Sequence, residues 1–421
     1  MIHTYVQQLR SFHRDVRLFL ITAALEGFSI AGIRTVLFNL YLLRLGYGPE
    51  FVGLTNAVGW VALSGFSPIA GALGTRWGNR RALLGGIVLM SAGTGLLPMA
   101  EWVPVAWQVV WLLACTVLTY MGLALYFVNG VTFVMGVTQP EQHHQAIALQ
   151  VAFEPLAGFA GSLVGGALPG VFAAALNVSL RDPAPYRYPQ FLAALLLIPG
   201  VLALRQARDV RTTQPGEGPA TTNQAPYALI AMMTITVMLR IAGRSAVGVF
   251  FNVYLDTELL ASTALIGALS AAALLLSVPA ALAATSVVRR WGAVRTIAVL
   301  TLGMAASILP LALIPRWTAA GLGFMGLTAG FAITTGPFRV FSQRTVAPRY
   351  RGAMAGATMT GVGLTNVAMS LAGGYGVGAV GFRGMFLLSA ALTVAGALLF
   401  WAYFRVPRGE LARPVGPRAT D

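Results

Sequence analysis

Residues 38–42 read Phe-Asn-Leu-Tyr-Leu, and the pattern returns at residues 251–255 as Phe-Asn-Val-Tyr-Leu, 213 positions further along the chain. A second pair follows in the same order, because residues 76–78 and 290–292 both read Arg-Trp-Gly, at an offset of 214. Each match is short, but the common order and spacing indicate an internal repeat. The repeat predicts a chain built from two similar halves.

The composition places both halves in a membrane. The chain of 421 residues is 57% hydrophobic and 10% charged, whereas soluble domains carry about 25% charged residues. A chain so poor in charge cannot cover a soluble surface, which excludes a soluble enzyme and a disordered protein. The single cysteine excludes an internal disulfide and a cysteine-based metal site.

Twelve apolar segments come at or near the length of about 20 residues that a membrane helix needs. They are residues 18–44, 51–74, 82–100, 106–138, 146–175, 190–205, 227–255, 263–288, 296–315, 319–345, 353–379 and 384–404. Parallel repeats of six helices are typical of transporters that bind their substrate between the halves near the middle of the membrane. We therefore expect an all-α integral membrane protein with twelve transmembrane helices in two pseudo-symmetric six-helix bundles.

The expected domains follow from these segments. They are a cytoplasmic N-tail (1–17), an N-terminal six-helix bundle (18–205), a cytoplasmic linker (206–226), a C-terminal six-helix bundle (227–404) and a cytoplasmic C-tail (405–421).

The arginines decide the expected orientation, since all 28 basic residues are arginine. Nineteen lie on the side of both termini, five on the opposite side and four within the spans. Arginine accumulates in cytoplasmic loops, so both termini are expected in the cytoplasm. The orientation of the chain in the membrane therefore explains the net charge of +15, and nucleic-acid binding is not needed to explain it. We expect a multi-pass monomer in a bacterial or archaeal plasma membrane.

Two loops carry a family resemblance. Residues 71–81 read Gly-Ala-Leu-Gly-Thr-Arg-Trp-Gly-Asn-Arg-Arg, and residues 346–352 read Val-Ala-Pro-Arg-Tyr-Arg-Gly. Lying between spans two and three and between spans ten and eleven, they resemble the loop motifs of the major facilitator superfamily (MFS) of secondary transporters. The resemblance covers about residues 15–405 and implies that gating depends on loop residues. These are Gly71, Arg76, Gly78, Arg80, Arg81, Arg290 and Arg351.

The chain departs from the family pattern at two places. Thr75 stands where the loop motif has an aspartate, whose carboxylate in the family joins a charge network that stabilises the outward-facing state. Residues 161–166, Gly-Ser-Leu-Val-Gly-Gly, keep the glycines of the drug-antiporter signature without its proline. The first departure puts gating through that carboxylate in doubt, and the second disfavours a drug antiporter.

Each ionisable side chain within a span costs about 2.5–3.5 kcal/mol of membrane-insertion free energy, so each is expected to have a structural or functional role. They are Glu26, Arg34, Glu154, Arg240, Arg244 and Arg339. Arg339 lies near the end of its span, and snorkelling to the surface explains it. Arg34 and Arg244 lie at similar depth in spans one and seven, which the resemblance places across a central cavity. Two guanidinium groups there can clamp a carboxylate or phosphate. The alternative is that each arginine pairs with Glu26 or Glu154 and braces the bundle.

Helical periodicity and the resemblance add further candidates. Periodicity places Tyr41 on the face of Arg34, and Tyr254 with Arg240 on the face of Arg244. The fourth span lines the cavity in the family, which adds Tyr126. The expected substrate-binding residues are Arg34, Arg240, Arg244, Tyr41, Tyr126 and Tyr254. Asn39 and Asn252 point away from these faces and are expected to form interhelical hydrogen bonds.

Glu26 and Glu154 are the intramembrane groups able to exchange a proton near neutral pH. Both lie about eight residues from the inner surface and are expected to be neighbours. A glutamate whose arginine partner is taken by substrate would gain a proton, which gives a route to proton coupling. A purely structural ion pair is the alternative.

The resulting hypothesis is a secondary transporter of a small anionic or amphipathic solute, working by alternating access, with a proton gradient as the possible energy source. A proton-coupled multidrug exporter is the alternative, and a non-transporting receptor or lipid-handling protein is a third. An enzyme is not expected, since the sequence has no nucleophile–base pair, metal cluster or ATP-binding lysine motif. We expect no cofactor, no metal and no nucleic acid, only a small-molecule substrate and the lipid bilayer as partners.

Overall fold

The computed structural model describes residues 14–138, 143–208 and 226–412. Within these residues, eleven helices are long and apolar enough to cross a membrane. The first ten are α1 (Arg14–Arg44), α2 (Pro49–Trp77), α3 (Asn79–Leu96), α4 (Val105–Val137), α5 (His143–Leu176), α6 (Ala184–Arg205), α7 (Tyr227–Thr257), α8 (Thr263–Trp291), α9 (Ala293–Leu313) and α10 (Trp317–Arg344). Short 3-10 turns lie at Leu97–Trp102, Pro348–Tyr350 and Gly409–Ala412. Most of the predicted linker and of both tails lies outside the described residues.

The eleventh helix, Arg351–Phe404, contains two membrane crossings. Its 54 residues would extend roughly 80 Å, against a hydrocarbon core of about 30 Å. Gly381 interrupts it with φ 69° and ψ 172°, a left-handed conformation that favours glycine. Thr365 before the break and Gly396 after it both contact α7 at residues 238–240, so the chain reverses there. We call residues 351–380 α11 and residues 382–404 α12, which gives the twelve predicted crossings.

The repeat is visible in the local backbone. Gly78 joins α2 to α3 with φ 94° and ψ 143°, and Gly292 joins α8 to α9 with φ 77° and ψ 158°. Both glycines belong to the repeated Arg-Trp-Gly stretches. The two halves therefore make the same left-handed turn at equivalent positions.

The buried apolar side chains show how the halves meet. We call the side on which α1 begins and α12 ends the terminal face, and the opposite side the distal face. Towards the distal face one core is shared by both halves and includes Leu37, Phe38, Phe250 and Phe251. Towards the terminal face the two larger cores are each confined to one half. Phe19, Ile87 and Phe133 belong to the N-terminal one, and Met233, Phe341 and Phe400 to the C-terminal one. The halves are thus sealed distally and separate terminally.

Helix α1 changes its hydrogen bonding halfway along. Gly27–Arg34 form a π-helix between the α-helical parts Arg14–Glu26 and Thr35–Arg44. The backbone N–H of Thr35 bonds to the carbonyl of Ile30, five residues earlier. Interruptions of this kind are frequent at functional sites. Because the π-helical turn is wider than an α-helical one, the relative directions of Glu26 and Arg34 around the helix axis do not follow a period of 3.6 residues.

Candidate substrate cavity

A cavity of about 310 Å³ lies between the two halves, beneath the shared distal core. Helices α1, α2 and α4 line it from the N-terminal half, and α7, α10 and α11 from the C-terminal half. The lining residues are Arg34, Thr35, Phe38, Asn39, Asn56, Trp60, Tyr120, Ile241, Arg244, Ser245, Gly248, Val249, Phe331, Val362 and Asn366. The cavity has the size and the apolar walls with a few polar groups that are typical of small-molecule sites.

Arg34 enters the cavity from the last residue of the π-helix. Its side chain is buried, and its Nε and Nη2 atoms have no hydrogen-bond partner among the described residues. The guanidinium carbon lies 4.3 Å from the ring centre of Phe38 and 5.7 Å from that of Tyr120. Aromatic faces stabilise a cation only in part. The charge of Arg34 therefore lacks a counter-ion within the described structure.

Arg244 enters from the opposite half. Its guanidinium carbon lies 5.6 Å from the ring centre of Phe331, and its buried Nε has no partner in the part of the chain that the structure describes. A Cβ at Gly248 would lie 2.5 Å from Nη1 of Arg244. This glycine leaves the space that the guanidinium group occupies.

Neither arginine forms an ion pair with Glu26 or Glu154. Ion pairs are found elsewhere, for example between Arg44 and Asp256 and between Arg187 and Glu101. The bracing arrangement that the sequence left open is thus not the one found here. The structure brings Arg34 and Arg244 together on one cavity, and their role in binding stays a prediction.

A reciprocal pair of asparagines closes the distal end of the cavity. Nδ2 of Asn39 donates to the carbonyl of Val249 at 2.7 Å, and Nδ2 of Asn252 donates to the carbonyls of Thr35 and Val36 at 3.0 and 3.2 Å. The two bonds are equivalent under the repeat, because Val249 lies three residues before Asn252 and Val36 lies three residues before Asn39. The predicted interhelical hydrogen bonds are confirmed, and Asn39 in addition lines the cavity.

The other predicted binding residues lie outside the lining. Tyr41 and Tyr254 lie beyond the asparagine pair in the distal core, where the Tyr41 hydroxyl donates to the Pro98 carbonyl at 3.1 Å. Arg240 is buried within the C-terminal half and donates to Thr334 Oγ1 at 3.1 Å. Helical periodicity predicts on which face of a helix these residues lie, but not how deep in the membrane the cavity extends. The cavity ends at the level of Asn39.

The predicted proton-coupling residues form a separate group in the N-terminal half. The carboxyl groups of Glu26 and Glu154 and the hydroxyl of Tyr126 are near enough to interact electrostatically. Oε2 of Glu26 and the Tyr126 hydroxyl are buried without a hydrogen-bond partner among described residues. Helices α1 and α5 touch here, because a Cβ at Gly27 would lie 3.0 Å from the Cα of Glu154. The two acids are neighbours, as expected, but they do not line the cavity, and neither does Tyr126, which was predicted as a substrate-binding residue.

The predicted gating residues lie around the terminal face. Nη1 of Arg80 donates to the carbonyls of Arg205 and Ala207 at 3.1 and 2.8 Å, which ties the α2–α3 turn to the end of α6. Nε of Arg351 contacts the carbonyl of Gln343 at 3.3 Å. The Thr75 hydroxyl donates to the Ala72 carbonyl at 2.9 Å, within its own helix. These contacts stay inside one half. Gly71, Arg76, Gly78, Arg81 and Arg290 complete the predicted set, and no gating role is tested by their positions.

Sequence reasoning missed most of the cavity wall. Trp60, Phe331 and the amides of Asn56 and Asn366 line it, and none was singled out. A tryptophan and two asparagines in the middle of apolar spans are the signal that was available. Among the residues described, no group of histidine, cysteine or acidic side chains could hold a metal ion.

The comparisons with known proteins agree with this architecture. The family model described as Major Facilitator Superfamily matches residues 19–231 and 233–419. A search of curated proteins finds no match. Three solved structures show the same fold at low identity, and each is a relative in shape only.

The first is the xylose transporter XylE from E. coli in an inward-open conformation, with TM-score 0.72, 14% identity, and 92% of this chain and 95% of that chain covered. The second is an auto-inhibited POT family peptide transporter, with TM-score 0.72, 14% identity, and 94% and 98% covered. The third is an inward-facing, occupied bacterial homologue of the human lysosomal transporter Spinster, with TM-score 0.71, 14% identity, and 93% and 96% covered. The repeat, the twelve crossings and the family match over both halves lead to one conclusion: the chain is a multi-pass membrane protein of the major facilitator superfamily, a secondary transporter of a small molecule and not an enzyme.

Proposed function

We propose that this transporter carries a small amphipathic anion, which Arg34 and Arg244 bind from opposite halves of the protein. The observation that carries the proposal is the charge of the cavity. Two arginines line it, and none of its lining residues, all within the described chain, is acidic. A cation buried without a counter-charge is costly, so an anionic solute is the partner that this cavity favours.

The walls favour a solute with an apolar part. Phe38, Trp60, Tyr120 and Phe331 supply aromatic surface next to the two guanidinium groups. Asn56 and Asn366 add amide groups that can bond to polar substituents. Guanidinium groups bind carboxylates and phosphates in a bidentate manner, which gives orientation as well as affinity. An aromatic carboxylate or phosphate ester matches this set of groups.

Alternating access is the second part of the proposal. The distal side holds a shared core, the reciprocal asparagines and the Arg44–Asp256 ion pair, all of which join the two halves. The terminal side holds separate cores. A rocking of one half against the other would open the first set and bring the second together. With the termini in the cytoplasm, as the arginine distribution predicts, the described conformation is the inward-facing one.

Proton coupling is the third part. Glu26 lies at the start of the π-helix and Arg34 at its end, so one short segment connects the acid pair to the anion site. Protonation of Glu26 or Glu154 removes a buried charge from the contact between α1 and α5. Coupling would then pass through the backbone of α1, because no carboxylate lines the cavity.

A binding panel with the purified protein tests the anion proposal. Thermal unfolding is measured with benzoate and phenyl phosphate as anions, D-xylose as a neutral sugar and tetraphenylphosphonium as a lipophilic cation. We expect stabilisation by the anions alone. Arg34→Gln and Arg244→Gln should each weaken anion binding roughly 10- to 100-fold, the range of a lost charge-assisted hydrogen bond.

Arg339→Gln is the matched control, since Arg339 is exposed and does not line the cavity. Its affinity should equal that of the wild type. Gly248→Ala is a finer probe, because the added methyl group displaces the Arg244 guanidinium without removing its charge. Stabilisation by tetraphenylphosphonium and not by the anions would replace this proposal with the multidrug exporter.

A second experiment separates coupling from binding. Uptake of benzoate into proteoliposomes is measured with and without a pH gradient for the wild type, Glu26→Gln and Glu154→Gln. The gradient should stimulate the wild type, whereas both variants should bind benzoate normally and lose the stimulation. Uptake that ignores the gradient, with Glu26→Gln fully active, would disprove the coupling and leave the anion proposal intact.

A further inference from the structure

An open groove lies on the terminal face where α8 turns into α9, far along the chain from the residues of the anion cavity. It has a volume of about 340 Å³ and is lined by Trp291, Arg295 and Val299. All three side chains are exposed, Trp291 and Val299 to 44% each. The proposed transport function uses none of them.

The groove lies at the ends of two membrane spans. Trp291 is the last residue of the span Thr263–Trp291, and Arg295 lies in the first turn of the span Ala293–Leu313. Tryptophan and arginine are both typical of the membrane–water interface, where lipid headgroups lie. Val299 lies one turn further along α9 on the face of Arg295. The groove therefore changes from cationic to apolar in the direction of the bilayer interior.

Arg295 is free to bind a ligand. It takes part in no ion pair or side-chain hydrogen bond with the residues that the structure describes. Arg289 and Arg290 are exposed on the preceding turn of α8 and add positive charge to the same boundary. Basic residues beside a membrane span attract anionic lipid headgroups.

The repeat supplies an internal comparison. At the equivalent turn of the N-terminal half, Trp77 and Arg81 correspond to Trp291 and Arg295, but Gly85 takes the place of Val299. Arg81 also has interactions within the protein, unlike Arg295. The N-terminal turn thus lacks the apolar side chain and, at the position equivalent to Arg295, a cation without a partner. The groove is a feature of the C-terminal half and not a by-product of the repeated loop.

We propose that this groove binds one anionic phospholipid from the surrounding bilayer. Arg295 binds the phosphate group, the indole of Trp291 lies at the level of the glycerol, and Val299 contacts the first part of an acyl chain. The gradation from cation to aromatic ring to aliphatic side chain matches the gradation along a phospholipid. A free phosphate ion would use Arg295 and leave the apolar part of the groove without a role.

The test counts lipids bound to the full-length protein by native mass spectrometry, in detergent, with added phosphatidylglycerol or phosphatidylcholine. The wild type should retain one phosphatidylglycerol in preference to phosphatidylcholine. Arg295→Gln should weaken that retention roughly fivefold, the effect of one juxtamembrane arginine. Arg289→Gln is the matched control, since it removes the same charge nearby but does not line the groove.

Two further measurements define the ligand. Val299→Asn should weaken phosphatidylglycerol binding, while an excess of inorganic phosphate should not displace the lipid. Equal losses in Arg295→Gln and Arg289→Gln would show diffuse attraction to anionic lipids and overturn the site. Full competition by inorganic phosphate, or no preference for phosphatidylglycerol in the wild type, would overturn it as well.

Discussion

Helices α1 and α7 occupy equivalent places in the two halves, and they agree at one end and differ at the other. Near the distal face both carry the Phe-Asn pair, and Asn39 and Asn252 make mirror-related hydrogen bonds. Towards the terminal face, α1 contains a π-helix that begins after a buried glutamate. Helix α7 is a continuous α-helix there and carries Arg240 and Arg244. The repeat is kept where the halves seal against each other and lost where charges lie in the membrane.

The contact of α1 with α5 and the contact of α7 with α11 differ as well. In the N-terminal half, α1 meets α5 backbone to backbone, since a Cβ at Gly161 would lie 2.9 Å from the Cα of Phe28. In the C-terminal half, a Cβ at Gly361 of α11 would meet the side chains of Thr234 and Met238 at 2.9 and 3.1 Å. Side chains can move aside more readily than backbone. The N-terminal contact is therefore the more rigid of the two.

Gly161→Ala gives the largest expected effect. The added methyl group pushes α1 and α5 apart at the π-helix, which should cost about 1–3 kcal/mol, as overpacking does. Gly361→Ala should cost less than half as much. Gly170→Ala, in α5 with nothing near its Cβ position, should change stability by no more than about 0.5 kcal/mol. Thermal unfolding of the purified variants ranks them, and equal losses for Gly161→Ala and Gly361→Ala would erase the difference between the halves.

Arg44→Gln comes next and tests the distal seal. Arg44 of α1 binds both carboxylate oxygens of Asp256 of α7, with Nη1 to Oδ2 at 2.8 Å. Loss of this pair should raise the population of distally open molecules roughly tenfold. Electron–electron resonance distances between labels at Val105→Cys and Trp317→Cys, both exposed on the distal face, report the opening.

Arg187→Gln is the control for that measurement. It breaks the ion pair with Glu101, which lies within the N-terminal half. The distance between the two labels should then stay that of the wild type. A shift equal to that of Arg44→Gln would mean that general destabilisation, and not the contact between halves, controls the distal opening.

The Asn39→Ala and Asn252→Ala variants test the symmetry directly. Each removes one arm of a reciprocal pair, and each should raise the distally open population by roughly fivefold, the effect of a hydrogen bond of average strength. The same labels measure both. The two shifts in the distance between the labels should be equal within error. A clear difference would show that the two asparagines do not contribute equally to closing the distal side.

Arg240→Gln has the smallest expected effect on binding. Arg240 lies one helical turn from Arg244 but contacts Thr334 and the ring of Phe338 instead of the cavity. Its removal should change benzoate affinity by less than about threefold, a change in free energy below the strength of one hydrogen bond. A loss as large as that of Arg244→Gln would place Arg240 in the anion site after all.

Much of the fold followed from hydropathy and repetition. The twelve crossings were predicted from the length of apolar segments, because backbone groups in lipid must be satisfied within helices. The break at Gly381 fell between the predicted spans 353–379 and 384–404. Helix ends extended beyond the apolar segments, since hydropathy does not register the polar turns that continue a helix into the headgroup region.

The site was only partly predictable, and the reasons are physical. Rarity of charge within apolar spans drew attention to Arg34 and Arg244, which the structure places on one cavity. Periodicity also selected Tyr41 and Tyr254, because angle around a helix says nothing about where a cavity ends. The π-helix Gly27–Arg34 was not predicted, because hydropathy and a period of 3.6 residues both assume regular α-helical hydrogen bonds. Gly32 within it lies in close contact with Gly161 of α5.

Gly381 has a consequence for the mechanics of the transporter. Other distal connections contain several residues, such as 45–48, 177–183 and 258–262, whereas α11 and α12 are joined through one. This short joint keeps the distal end of α11, which lines the cavity through Val362 and Asn366, beside the distal end of α12. Lengthening the joint by inserted glycines would let the lining of the cavity shift independently of the half that carries it.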